Sequence, residues 1–360
     1  MKILFLGSFV PDVYADQIET LSAAGNQFQW NLYRTLQREH EMHALSYLSI
    51  HIRDMKGEMD EELSQEGIDL LLPKENGILR EFVEFRYKLF HWYQWADCVI
   101  TYNVQYPWLN MKKGKRKILI LADYTPSCEE PLRKKIYSCL TKKSFSKYQK
   151  MVLLSEGSKK YVSPEQESIV IPGAIRWDSF RNFKEPVAKD KIIFLYSGVL
   201  NKVTGVDVLI KSFCKIKNEK YELVLCGQGN ELKDEIMSAM QIDHRIKFRG
   251  YVSKKEYYRL LEEADICINP RNMNYKQNQY NFPSKLLEYI AAGRVVVSTK
   301  FVNYKKYMDY VIFTECDVNG IARALDNAAD LFCKESKSIF YKNREFAQTM
   351  TWEKVFNSFL

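Results

Sequence analysis

Asn281-Phe-Pro-Ser-Lys-Leu-Leu-Glu-Tyr-Ile-Ala-Ala-Gly293 reads as a loop that opens directly into a helix. Pro283 holds the residue before it in an extended conformation and ends whatever precedes. Ser284 is of the N-cap type, with a hydroxyl for an amide two or three residues on. Leu286, Leu287, Ile290 and Ala291 recur on one helical face, and Gly293 stands where the helix must stop. Lys285 and Glu288, three residues apart, rise from one side of the first turn. Free amides, the positive end of a helix and an ammonium suit a phosphate. A carboxylate one turn on suits a sugar hydroxyl. The same letters also fit an ordinary buried helix with a solvated lysine and glutamate.

The flanks weigh between these readings. Upstream, Tyr257-Tyr-Arg-Leu-Leu-Glu-Glu-Ala-Asp-Ile-Cys-Ile-Asn-Pro270 predicts a helix followed by a short buried strand. Downstream, Arg294-Val-Val-Val-Ser-Thr299 is a second buried strand. The helix from Ser284 is therefore the crossover of a βαβ unit. Ligands of such sheets bind outside the carboxyl ends of the strands, where Asn269, Pro270 and Arg271 emerge.

The rest of the chain repeats this alternation. Strands are expected at 2–9, 43–49, 97–102, 117–121, 152–154 and 168–172, with helices at 27–39, 77–95, 131–150 and 158–162. The stretch 173–191 is irregular and polar and reads as a linker. A second set follows, with strands at 192–196, 222–226 and 246–248 and helices at 205–217 and 231–240. Three closing helices are expected at 319–331, 337–346 and 352–360. Alternating strands and helices imply α/β architecture with parallel, doubly wound sheets. The 360 residues suit two domains, at 1–173 and 190–346.

Composition narrows the classes. A hydrophobic fraction of 46% indicates a globular chain. No run of eighteen apolar residues is present, and the first strand is too short for a signal-peptide core. The eight cysteines are scattered without a Cys-x-x-Cys, as expected of buried thiols in the cytoplasm. Net charge is +8, with basic blocks at Lys112–Lys117 and at Arg133, Lys134, Lys135, Lys142, Lys143, Lys147 and Lys150. Beside them lies an aromatic helix carrying Phe82, Phe85, Tyr87, Phe90, Trp92, Tyr93 and Trp95. An anionic membrane surface is an expected partner. Nucleic acid is not, since the basic blocks lack interleaved stacking aromatics. No Asp-x-Asp and no acid–histidine constellation supports a metal site, and no Gly-x-Ser-x-Gly supports a hydrolase elbow. Gly227-Gln-Gly229 after a strand is half of a nucleotide-binding turn at most.

Six segments in order carry a family resemblance: Tyr196-Ser-Gly-Val-Leu200, Gly205-Val-Asp-Val-Leu-Ile210, Leu223-Val-Leu-Cys-Gly-Gln-Gly229, Phe248-Arg-Gly-Tyr-Val252, Ala264-Asp-Ile-Cys-Ile-Asn-Pro270 and Phe282–Gly293. Together they resemble the donor-binding domain of glycosyltransferase family 4, of the GT-B fold. The first half resembles the acceptor domain more loosely, through Gly7 and Gly25-Asn26. Trp352 resembles the tryptophan of the last helix, residues 351–360, which crosses back to the first domain.

The resemblance implies two Rossmann-like domains facing across a cleft and sugar transfer from a nucleotide-sugar, commonly with retention. Glu288 matches the residue that holds the donor ribose. The family's earlier glutamate is Tyr280 here, and its basic pair after the first donor strand falls on Val199 and Thr204. Lys285, Arg271 and Lys202 are then expected to neutralise the leaving diphosphate without a metal. Gly198, Asn201, Gly227, Gly250, Tyr251, Val252, Phe282 and Ser284 are expected to line the donor site with Tyr280 and Glu288. Gly25, Asn26, Asn103 and Asp123 are expected on the acceptor side. The Asn-Pro-Arg and Phe-Pro-Ser-Lys pairing resembles bacterial surface-polysaccharide transferases, which implies a lipid-linked glycan acceptor at the inner face of the plasma membrane. A nucleotide-sugar epimerase of GT-B architecture, or a non-catalytic nucleotide-sugar-binding subunit, is the alternative.

Overall fold

Short apolar runs flanked by polar turns form the strands, and every pairing between named strands is parallel. The computed structural model describes residues 1–15, 18, 22–48, 63–71, 78–103, 114–122, 132–187, 189–279, 281–355 and 359–360. Side chains at 12, 23, 78–85 and 132–138 are outside that description. The chain divides into two units, one of residues 1–172 with 352–360, the other of residues 173–351.

In the first unit the order is β1 (Lys2–Gly7), α1 (Ala23–Leu36), β2 (Glu41–Tyr47), β3 (Ile68–Leu71), α2 (Ile78–Trp95), β4 (Cys98–Tyr102), β5 (Arg116–Leu121), α3 (Leu132–Phe145), β6 (Lys150–Leu153) and β7 (Glu167–Val170). The sheet runs β3-β2-β1-β4-β5-β6-β7. Leu4, Leu6, Leu45 and Val99 pack against Leu89 and Tyr93 of α2. Asp69 fastens that helix to the sheet edge. It accepts from Trp92 Nε1 at 2.9 Å and from Lys88 Nζ at 3.0 Å, and lies 3.0 Å from His43 Nε2. Burial works to raise the Asp69 carboxyl, but the His43 and Lys88 contacts outweigh it and hold it well below the usual carboxylate range.

In the second unit follow β8 (Ile192–Ser197), α4 (Val206–Lys215), β9 (Tyr221–Cys226), α5 (Lys233–Ile242), β10 (Ile246–Phe248), α6 (Lys254–Glu263), β11 (Ile266–Asn269), α7 (Lys285–Ala291), β12 (Val295–Thr299), β13 (Ile312–Thr314) and α8 (Val318–Thr349). The sheet order is β10-β9-β8-β11-β12-β13. Alternation sorts its side chains. Phe194, Leu223, Ile266 and Val295 enter the core on one face, and Leu195, Val224, Cys267 and Val296 the core on the other. Two apolar faces explain why these strands read as continuous apolar runs.

Several expectations need correction. The separate helices at 319–331 and 337–346 are one 32-residue helix, α8. The polar letters 334–338 between them are mostly exposed, and neither Gly nor Pro interrupts them. The strands β3 and β13, of four and three residues, lie at sheet edges and are too short for a period to register. The stretch 173–191 is not open chain: Ile175 and Phe180 are buried in the second unit. Arg344 donates to the Phe180 carbonyl at 2.7 Å and Arg294 to that of Lys184 at 3.3 Å, which pins it there. A last short helix, α9 (Trp352–Val355), packs in the first unit, where Trp352 meets Phe28 edge-on at 5.1 Å.

Candidate functional site

The order of strands in the second sheet reverses between β8 and β11. In open parallel sheets, ligands bind outside the carboxyl ends of the strands at such a reversal. Four loops meet at that edge through their backbones. Leu200 N donates to Gln228 O at 2.7 Å, Gly227 N to Gly250 O at 2.8 Å, and Asn272 N to Val203 O at 3.2 Å. Gly227 has φ 146°, and a Cβ there would stand 1.7 Å from Gly198 O. Gly205 has φ 74°, and a Cβ there would stand 2.0 Å from Pro270 O. The glycines therefore let the loops touch.

Within this rim, Thr204 and Asn201 close a tight turn, with Thr204 N donating to Asn201 Oδ1 at 2.9 Å and Thr204 Oγ1 to Val199 O at 2.7 Å. Lys202 is exposed on that turn. The backbone of Arg271 is held by Thr299 Oγ1, 2.6 Å from its carbonyl. Tyr251 is half exposed, while Val252 and Phe282 pack on the core. Asn278 donates to Val203 O at 2.8 Å and to Asn272 O at 2.7 Å. Asn278 is buried and thus braces its own loop.

Lys285 and Glu288 lie on the first turn of α7, as their spacing requires. Lys285 Nζ is 3.1 Å from Glu288 Oε2, and it sits 3.9 Å from the centroid of the Tyr257 ring. Tyr257 in turn donates its hydroxyl to Glu288 Oε2 at 2.5 Å. Burial first, and the Glu288 charge second, push the Tyr257 phenol far above its ordinary range, so it remains a proton donor. Behind it, Tyr289 is buried and its hydroxyl lies 3.0 Å from Ser197 Oγ, tying α7 to the end of β8.

The Ser284 cap expected from sequence is not formed. Its backbone is already helical (φ −55°, ψ −32°) and its hydroxyl caps nothing. The helix opens instead with tight backbone bonds, Leu286 N to Pro283 O at 2.9 Å and Leu287 N to Ser284 O at 3.2 Å. The amides of Leu286 and Leu287 are thus spent within the chain. Gly293 does end the helix, with φ 71°.

Of the residues expected on the acceptor side, Asn26 is buried with both ends of its amide bound to Val10, at 2.8 and 3.0 Å. Gly25 lies in the capped first turn of α1, its amide donating to Ser22 Oγ at 3.2 Å. Asn103 adopts φ 49° and accepts from Ala122 N at 2.9 Å. Asp123 and Tyr280 lie outside the described residues. Sequence reasoning missed Tyr257, whose place on the apolar face of α6 marks it only as core. Among the described residues, no three His, Cys, Asp or Glu side chains cluster as a metal would require, and no helix is long and apolar enough to cross a membrane.

Two parallel sheets of seven and six strands, wound with helices, define the GT-B fold of glycosyltransferases. Residues 178–332, within the second unit, match the family described as "Glycosyl transferases group 1". Over 129 residues the chain is 26% identical to an uncharacterized glycosyltransferase of Methanocaldococcus jannaschii. That alignment takes in 34% of this chain and 31% of the relative, so the chain spans about a third of the curated relative it matches. Among solved structures, a sucrose-phosphate synthase from Thermosynechococcus elongatus is similar over 99% of this chain and 97% of its own, at 14% identity and TM-score 0.73. A glycosyltransferase from Rickettsia africae is similar over 99% and 96%, at 15% identity and TM-score 0.73.

Proposed function

We propose that this protein is a glycosyltransferase that moves a sugar from a nucleotide-sugar to a glycan acceptor, with retention and without a metal. The observation that carries this reading is the Lys285–Glu288 pair on the first turn of α7, a helix that Tyr289 ties to the carboxyl end of β8, within the segment that matches the family. Glu288 holds the donor ribose. Lys285, Lys202 and Arg271 take up the charge that grows on the leaving nucleoside diphosphate, where fixed cations lower the barrier more than they stabilise the bound donor. The acceptor is a lipid-linked glycan of surface polysaccharide, met at an anionic membrane face by the basic residues of the first unit.

The test is release of nucleoside diphosphate from a panel of nucleotide-sugars, with and without acceptor and in excess chelator, followed by mass spectrometry of the product. Acceptor-dependent release that survives the chelator is expected. Free interconversion of sugars without an acceptor would instead identify an epimerase. Loss of activity with EDTA and its return with magnesium or manganese would sink the metal-free mechanism.

A further inference from the structure

Glu288 is not held by its helix neighbour alone. Its Oε2 receives two hydrogen bonds, from the Tyr257 hydroxyl at 2.5 Å and from Lys285 Nζ at 3.1 Å. Among the described residues Oε1 receives none, so one oxygen of the carboxylate is engaged and the other is available. Tyr257 itself is 8% exposed and sits on α6, whose other buried side chains, Leu260 and Leu261, are apolar. Its hydroxyl is the one polar atom it brings into this core. The ring lies under Lys285, with the ammonium 3.9 Å from its centroid. One side chain from a neighbouring helix thus fixes both the anion and the cation of the pair.

We propose that Tyr257 is a positioning residue for the donor site, locking the Glu288 carboxylate so that Oε1 is presented to a vicinal diol of the donor's ribose. This deepens the proposed function and rests on it. A carboxylate with one oxygen anchored from two sides loses little freedom when a hydroxyl arrives, so the donor need not supply that ordering. Lys285 has three donor protons and spends one on Oε2, which leaves two for a phosphate. The Tyr257 ring holds Lys285 in that pose whether or not the hydroxyl is present.

The two contacts of Tyr257 can be separated. Y257F removes the hydrogen bond to Glu288 and keeps the ring under Lys285. The measurement is calorimetric binding to the full chain of UDP, GDP, ADP and CDP, each beside its 2′,3′-dideoxy counterpart. The readout is the preference for the ribose form of whichever nucleotide binds tightest. E288A should abolish that preference. Y257F should reduce it by about tenfold, the scale of one charge-assisted hydrogen bond, and should have no further effect in E288A. A merely structural Tyr257 would weaken both forms equally and leave the ratio unchanged. That result, with E288A abolishing the preference, would overturn the inference and spare the reading of Glu288. An undiminished preference in E288A, or no binding of any of the four at millimolar concentration, would overturn the reading of the site and the inference with it.

Discussion

The carbonyl oxygen of Gly198 occupies the place where a side chain on Gly227 would begin, 1.7 Å from an ideal Cβ. Gly227 also has φ 146°, which residues with a Cβ rarely adopt. G227A should therefore push the loops after β8 and β9 apart and cost about 3 kcal/mol or more. Gly250 is the contrast: its φ is 64°, but a Cβ there meets nothing within 4 Å. G250A should cost only about 1–2 kcal/mol, the left-handed strain alone. Urea unfolding of the two variants reads the difference; equal costs would mean that the Gly198 contact can relax.

Lys285 and Glu288 should separate kinetically. K285A should lower kcat by roughly 10²–10³, the loss typical of one electrostatic donor to a developing charge. E288A should raise KM for the donor, because a ribose gains no charge during reaction. The ordinary alternative is a helix-surface ion pair contributing about 0.2–0.5 kcal/mol to stability. Steady-state kinetics with circular dichroism would distinguish them, and wild-type kcat and KM in both variants would move the donor site elsewhere.

Asp69 makes a pH-dependent contribution to the first unit. Its folded carboxyl titrates below its unfolded one, so the stabilisation is complete above about pH 4 and fades as pH falls further. D69N should cost about 1–3 kcal/mol at neutral pH and flatten the acid limb of a stability–pH profile. An unchanged acid limb would mean that the His43 and Lys88 contacts contribute nothing to folding.

Trp352 is 4% exposed and packs on Phe28 of α1. W352A should destabilise the first unit by about 3–5 kcal/mol, as expected for a buried aromatic. Hydrogen exchange should show the loss of protection in α1 and β1 and not in the strands of the second sheet. Faster exchange confined to the second sheet would contradict the assignment of residues 352–360.

On the first unit, Lys142 and Lys143 are exposed at the end of α3, close in sequence to Leu140, which is 51% exposed, and to exposed Lys147. Side chains of Lys134 and Lys135, also expected in this basic face, lie outside the described residues. Replacing Lys142, Lys143 and Lys147 by Gln should weaken binding to acidic vesicles roughly hundredfold, at about 1 kcal/mol for each residue. Binding that ignores both the substitutions and the salt concentration would remove the membrane from this reading.

Near-neighbour patterns carried the fold. The apolar runs at 192–197, 221–226, 266–269 and 295–299 announce buried parallel strands, and Gly293 announces the end of α7, because each depends on residues a few positions apart. The same locality puts Lys285 and Glu288 on one turn. What the letters could not disclose lies at long range or at low length. The three residues of β13 are an edge strand only because β12 is beside them. Asn26 spends its amide on Val10, sixteen residues earlier, because α1 lies over the loop that leaves β1. The Ser284 hydroxyl is idle because Pro283 O takes the Leu286 amide and begins the helix early. Tyr257 meets Glu288 across 31 residues and a strand, a contact set by how α6 and α7 pack on one sheet face. Sequence determined which residues could bear charge on the first turn of α7; tertiary packing decided which oxygen of Glu288 is held, because a hydrogen bond needs a partner placed to a few tenths of an ångström, and only the folded core places it.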